Sequence, residues 1–137
     1  LRILGIDFGG KRIGIAVSDE TGFLASALKV IENRGEEKVL EELKEIISSF
    51  EVEEIVIGLP KMMDGSLGRE AAKVHSFASS LRENLSCPIN FWDERLSTVE
   101  AQNILIQGNL SRKKRKKVID KLSAVIILQG YLDKKRI

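Results

Sequence analysis

The 137-residue chain carries 22 Lys and Arg against 20 Asp and Glu, with one histidine and one cysteine. That length sets the expectation of a single domain over residues 1–137, since a chain of this size buries roughly 68–70% of its unfolded surface. The lone Cys87 excludes an internal disulfide and suits a cytoplasmic protein. No stretch approaches the ~18 apolar residues of a membrane span, and no secretory leader is read at the start.

Residues 2–8 and 13–18 read as two strands of a hairpin turned by Gly9 and Gly10, and residues 25–31 as a third antiparallel strand. A helix is expected over 36–50, where Val39, Leu40, Leu43, Ile46, Ile47 and Phe50 recur at three- and four-residue steps. The apolar run 54–59 ends at Pro60 as a buried strand. After a Pro/Gly/Asp loop, a helix over 69–84 presents Val74, Phe77, Ala78, Leu81 and Leu85. Residues 89–93 form the last expected strand. Ser97 or Thr98 would cap a helix through Gln107, with Gly108 ending it. A final helix is expected over 118–134. Three antiparallel strands followed by alternating helices and strands describe an α/β protein with a mixed five-stranded sheet, flanked by helices in the ribonuclease-H-like manner.

Charge is unevenly placed. Arg112, Lys113, Lys114, Arg115, Lys116 and Lys117 are consecutive cations, and removing these six from the net +2 leaves −4 for the rest. Such a block reads either as a solvated loop or as a local contact for an anionic partner.

Asp7 stands in the apolar run Leu4-Gly5-Ile6-Asp7-Phe8. An ionised carboxylate in a strand is costly unless something neutralises it. Two readings follow: it accepts hydrogen bonds from the turn amides, or it serves a cation. Gly9 and Gly10, with Lys11 and Arg12, would also let backbone amides approach an anion. Asp93-Glu94-Arg95 closes the last strand, and open α/β sheets bind ligands outside the carboxyl ends of their strands. Neighbouring strand residues point to opposite faces, so one acid of this pair faces Asp7. Asp93 has the parity of Ile89 and Phe91, and Glu94 that of Asn90 and Trp92; the choice stays open, and Arg95 is a candidate salt-bridge partner for the other acid. Asp120 opens the apolar part of the last helix, with Ser123, Ala124, Ile127 and Tyr131 along one face. Alone it reads equally as a first-turn acid favoured by the helix dipole.

Together the acids make an oxygen-only donor set for Mg²⁺ or Mn²⁺, and two such ions can drive phosphodiester hydrolysis. On that reading Asp7 bridges the ions while Glu94, preferred over Asp93, and Asp120 complete their shells. Lys11, Arg12, Arg95 and the block 112–117 would hold a nucleic-acid backbone through charge, without reading bases. Cysteine–histidine zinc chemistry has no ligands here, and His75, placed mid-helix, reads as helix surface or core edge rather than a general base.

Gly5-Ile6-Asp7-Phe8-Gly9 with Arg12-Ile13-Gly14-Ile15-Ala16-Val17-Ser18-Asp19, Gly58-Leu59-Pro60 with Asp64-Gly65-Ser66, Asp93-Glu94-Arg95-Leu96-Ser97-Thr98, and Asp120 with Ala124, Ile127, Leu128 and Gln129 occur in this order. Over essentially its whole length the chain thereby resembles the YqgF family, also called RuvX, whose members are assigned as pre-16S rRNA nucleases and were earlier assigned as Holliday junction resolvases. The resemblance implies a ribonuclease-H-like fold and a cytoplasmic, divalent-metal-dependent nuclease acting at the 5′ end of precursor 16S rRNA. It points to Asp7, the acid of the Asp93-Glu94 pair and Asp120 as metal-binding carboxylates. Met62 stands where asparagine is usual, and Ser123 where alanine is usual. Branched DNA is the alternative substrate, and a non-catalytic RNA-binding module the alternative role. The first segment also resembles the phosphate-binding hairpin of the sugar-kinase/Hsp70/actin ATPases, which need two such domains. Nothing in the sequence chooses between monomer and homodimer.

Overall fold

A computed structural model describes residues 2–60, 68–94 and 112–135, with the side chains of 112–120 outside that description. In chain order the elements are β1 (Arg2–Asp7), β2 (Arg12–Ser18), β3 (Ala25–Glu32), α1 (Glu36–Phe50), β4 (Val52–Leu59), α2 (Arg69–Asn84), β5 (Ile89–Asp93) and α3 (Arg112–Lys135). The strands form one five-stranded sheet in the order β3-β2-β1-β4-β5. β1 pairs antiparallel with β2 and parallel with β4, β2 pairs antiparallel with β3, and β4 pairs parallel with β5. The carboxyl ends of β1, β4 and β5 therefore share one rim.

Two cores flank the sheet because strand side chains alternate. Leu4 and Ile6 of β1, Ile13, Ile15 and Val17 of β2, and Ile55, Ile57 and Leu59 of β4 pack with Val39 and Leu43 of α1 and Val74 and Leu81 of α2. On the opposite face Ile3, Ala16, Val56 and Trp92 pack with Ala124, Ile127, Leu128 and Leu132 of α3. Glycines allow α3 to come close. A Cβ added at Gly5 would lie 2.6 Å from Leu128 Cβ and 3.1 Å from the Ala124 carbonyl oxygen. One added at Gly58 would lie 2.4 Å from Ile127 Cδ1. The helix returns the favour at Gly130, where an added Cβ would meet Trp92 Cζ2 at 2.8 Å. Gln129 ties α3 to the β2–β3 hairpin: its Oε1 accepts from the Ala25 amide at 2.9 Å and its Nε2 donates to the Phe23 carbonyl at 2.9 Å.

Most elements fall where the amino-acid pattern predicts them, with two differences. β4 starts at Val52, two residues before the expected 54, because Val52 is buried and pairs with Arg2. α3 starts at Arg112 rather than at 118, so the basic block is helical and not a loop leading into a helix. Arg and Lys have high helix propensity, and no glycine or proline interrupts the block. The helix expected over 98–107 lies outside the described residues.

At the far, amino-terminal end of the strands, Glu54 is buried and accepts from Asn90 Nδ2 at 2.9 Å, from Lys135 Nζ at 2.7 Å and from the Tyr131 hydroxyl. Burial pushes its pKa up, but these hydrogen bonds and the Lys135 charge outweigh that and hold it below the ordinary value. The half-buried Tyr131, donating to the same carboxylate, is pushed up to about 12 by partial burial and that hydrogen bond.

Candidate active site

Asp7 ends β1 on the α3 side of the sheet, where Ile3 and Gly5 precede it at the same parity. β5 ends at Asp93, and Glu94 is the next residue. Asn90 and Trp92 share the parity of Glu94, and Trp92 belongs to the core beneath α3, whereas Ile89 and Phe91 belong to the other. The alternation thus separates the acidic pair: Glu94 turns to the face of Asp7, and Asp93 carries the opposite parity. Glu94 Oε1 lies 3.0 Å from where a Cβ would stand on Gly58, so the carboxylate occupies space that any other residue in β4 would fill. The Asp7 carboxyl reaches across and hydrogen-bonds Glu94.

Two carboxyls in contact over a strand glycine cannot both be ionised cheaply. Burial raises the Glu94 pKa above its ordinary value, the nearby Asp93 charge raises it further, and the Asp7 hydrogen bond offsets part of this. A cation bound between them would offset that cost. The donors are oxygen only, which matches hard divalent ions and not zinc. Among the described residues no group of three or more His, Cys, Asp or Glu side chains could hold a metal. Asp120 lies on α3 one turn before Ala124, with its side chain outside the described residues.

The cations divide similarly. Arg12 opens β2 with the parity of Gly14 and Ala16, which places it on the Asp7 face beyond the Asp7–Gly14 pair. Lys11 is exposed in the β1–β2 turn, and its carbonyl accepts from the Asn33 amide at 2.9 Å. That turn is tight, since a Cβ on Gly9 would lie 2.4 Å from the Arg12 carbonyl oxygen. Arg95 and the loop 61–67 lie outside the described residues, as do the side chains of Arg112, Lys113, Lys114, Arg115, Lys116 and Lys117. His75 is half-buried, its ring 4.7 Å from that of Phe91 on the far face from Asp7, as a core-edge residue should be. Cys87 is half-buried, and burial pushes its thiol pKa up, as expected of a structural thiol.

Gly58 and Asn33 carry structural roles that the sequence pattern leaves unassigned. A glycine inside a strand signals a close approach, but not that a carboxylate would be the group approaching. Asn33 Nδ2 donates to the Gly9 carbonyl at 3.2 Å, and its Oδ1 accepts from the Gly35 amide at 3.4 Å, tying the hairpin to the start of α1.

This geometry has known counterparts. The Thermus thermophilus RuvC in complex with a Holliday junction substrate superposes with a TM-score of 0.61 at 13% identity, over 99% of this chain and 96% of that one. The fowlpox virus Holliday junction resolvase does so at 0.56 and 10% identity, over 98% and 99%. At such identities the likeness is one of fold, and that fold is ribonuclease-H-like. In sequence, the chain is 53% identical over 133 residues to a Halothermothrix orenii protein, covering 97% of this chain and 95% of the relative. A Thermoanaerobacter pseudethanolicus protein is 50% identical over 137 residues, covering 99% of each. Both relatives are provisionally named as pre-16S rRNA nucleases. The model of the RuvX family, described as Holliday junction resolvase, matches residues 1–134. With the family model and relatives of about half identity matching over nearly the full length, the chain belongs to the RuvX family.

Proposed function

We propose that the protein is a divalent-metal-dependent nuclease that hydrolyses phosphodiester bonds in precursor 16S rRNA, in the cytoplasm. The observation that carries the reading is the contact between the Asp7 and Glu94 carboxyls at the rim formed by the carboxyl ends of β1 and β5. Like charges are brought together at a cost only where a cation or proton resolves them, and strand carboxyl ends are where open α/β sheets bind ligands. The relatives' names supply the substrate.

Asp7, Glu94 and Asp120 would hold the cations, with Asp93 on the opposite face adding negative field rather than a ligand. When bound, divalent ions lower the pKa of the attacking water and neutralise charge on the transferring phosphoryl group. The chain's own contribution is position. Gly58 sets the depth of Glu94, the tight Gly9 turn fixes Lys11 and Arg12 next to Asp7, and those cations draw the phosphate backbone to the rim. The basic start of α3 extends that attraction, so binding should weaken steeply with salt.

The test is cleavage of a precursor 16S rRNA fragment with Mg²⁺ or Mn²⁺ by the purified chain, beside Asp7→Asn and Glu94→Gln. The expected loss is at least about 10³-fold in both variants, on the scale of removing a group that organises transition-state charge. Cleavage that persists in both would overturn the assignment. A four-way DNA junction in parallel separates rRNA processing from junction resolution.

A further inference from the structure

β1 delivers two different side chains to the same rim. Asp7 goes to the α3 face, and Phe8, the next residue, goes to the face of α1 and α2. There it stacks on Phe77 of α2 with ring centroids 4.3 Å apart and 27° between planes. Beside the two rings lies a cavity of about 420 Å³, lined also by Gly10, Asn33, Glu36, Val39, Lys73 and Ser76. That volume falls in the range of small-molecule sites, and the carboxylate site does not use it.

We propose that this cavity receives a nucleobase of the substrate strand, unstacked beside the bond to be cut; the inference deepens the nuclease reading and rests on it. Aromatic faces stack on any base and need no particular sequence. The polar groups around them fit a base better than a phosphate. Asn33 is committed on both sides, to Gly9 and to Gly35. Glu36 accepts from Ser80 through one oxygen, and its carboxylate accepts hydrogen bonds but repels phosphate. Ser76 is exposed at the lip. Lys73 pairs with Glu70 at 3.3 Å, but both are exposed, so the pair leaves the ammonium free to exchange onto a backbone phosphate outside the cavity. The mouth includes Gly10, where an added Cβ would meet nothing within 4 Å. A strand held at Asp7 and Glu94 can therefore cross the hairpin at Gly10 and turn its base inward against Phe8 and Phe77.

The experiment is an amide-resolved NMR titration of the full chain carrying Asp7→Asn, in EDTA, with AMP, GMP and, as a probe without a base, ribose 5-phosphate. Both nucleotides are expected to shift the amides of Gly10, Lys73, Ser76 and Phe77, with ribose 5-phosphate leaving them in place. Ser76→Trp, an exposed change that fills the cavity with the chain's own ring, should abolish those shifts. In the otherwise native chain it should raise KM for precursor rRNA on the order of 10-fold, the scale of base–aromatic stacking, with little change in kcat. Nucleotides that leave these amides unmoved, or ribose 5-phosphate that moves them equally, would overturn the proposal. So would an unchanged KM in folded Ser76→Trp, since the site would then serve free nucleotides and not the strand. Because the titration needs no cleavage, failure of the nuclease assay and failure of the base pocket are read separately.

Discussion

Gly5→Ala is a test of whether the site depends on how closely α3 sits on β1. In a strand interior, replacing glycine by alanine ordinarily gains roughly 0.5–1 kcal/mol from the unfolded state. Here the added methyl would stand 2.6 Å from Leu128 Cβ, against the ~3.5–4.0 Å of an ordinary carbon–carbon contact. The shortfall is about 1 Å, and a Cβ cannot rotate away from it. The Ala124 carbonyl at 3.1 Å blocks escape along the helix. The helix must lift, at the ~1–3 kcal/mol typical of overpacking. For 137 residues that is a fall in Tm of about 3–10 °C. Lifting α3 by 1 Å also moves Asp120 relative to Asp7 and Glu94, so kcat/KM should fall about 100-fold. Thermal melts and cleavage assays on Gly5→Ala beside the parent read both effects. A Gly5→Ala protein as stable and active as the parent would refute the close-packing argument.

Three further outcomes follow from the same structure. Asp7→Asn keeps the side chain's size while removing an acid proposed above to hold the cations, so it should abolish cleavage and leave Tm within about 2–4 °C of the parent; melts and cleavage assays run side by side check this, and a larger fall in Tm would assign Asp7 a structural role instead. Glu54→Gln should destabilise at pH 7 by ~1–2 kcal/mol, since it loses charge-assisted bonds from partly exposed Lys135 and from Tyr131. Because folding lowers the Glu54 pKa below its ordinary 4.5, its contribution is complete above that value and lost as pH falls through the folded pKa. The Tm difference between parent and variant should therefore close in acid, as melts across pH 3–7 would record. Glu51 ends α1 in the left-handed region at φ 52°, so Glu51→Gly should gain ~0.5–1 kcal/mol, measured by urea unfolding.

Much of the architecture was legible because β1, β2 and β4 are near-continuous apolar runs while α1 and α2 repeat at helical spacing. Asp7 stood out as a charge within such a run. The choice between Asp93 and Glu94 was not legible from β5 alone. Parity says that the two acids part, but only the burial of Trp92 beneath α3 says which one meets Asp7. The helical state of the basic block escaped for a different reason: repulsion between like charges argues against a helix, and the intrinsic propensity of Lys and Arg prevails. The Phe8–Phe77 stack joins segments far apart in the chain, so no local pattern announces it.

Among the described elements, α3 alone covers the sheet face formed by Ile3, Ala16, Val56 and Trp92, and it follows every strand in the chain. As the polypeptide leaves the ribosome, that face stays bare until the helix emerges. The contact of Gly5 with Leu128 joins nearly opposite ends of the sequence and is among the slowest kinds to form. Asp7 and Glu94 are thus synthesised well before the helix that carries Asp120. On the function proposed above, the order of synthesis itself withholds cleavage from the unfinished polypeptide, without any separate inhibitor.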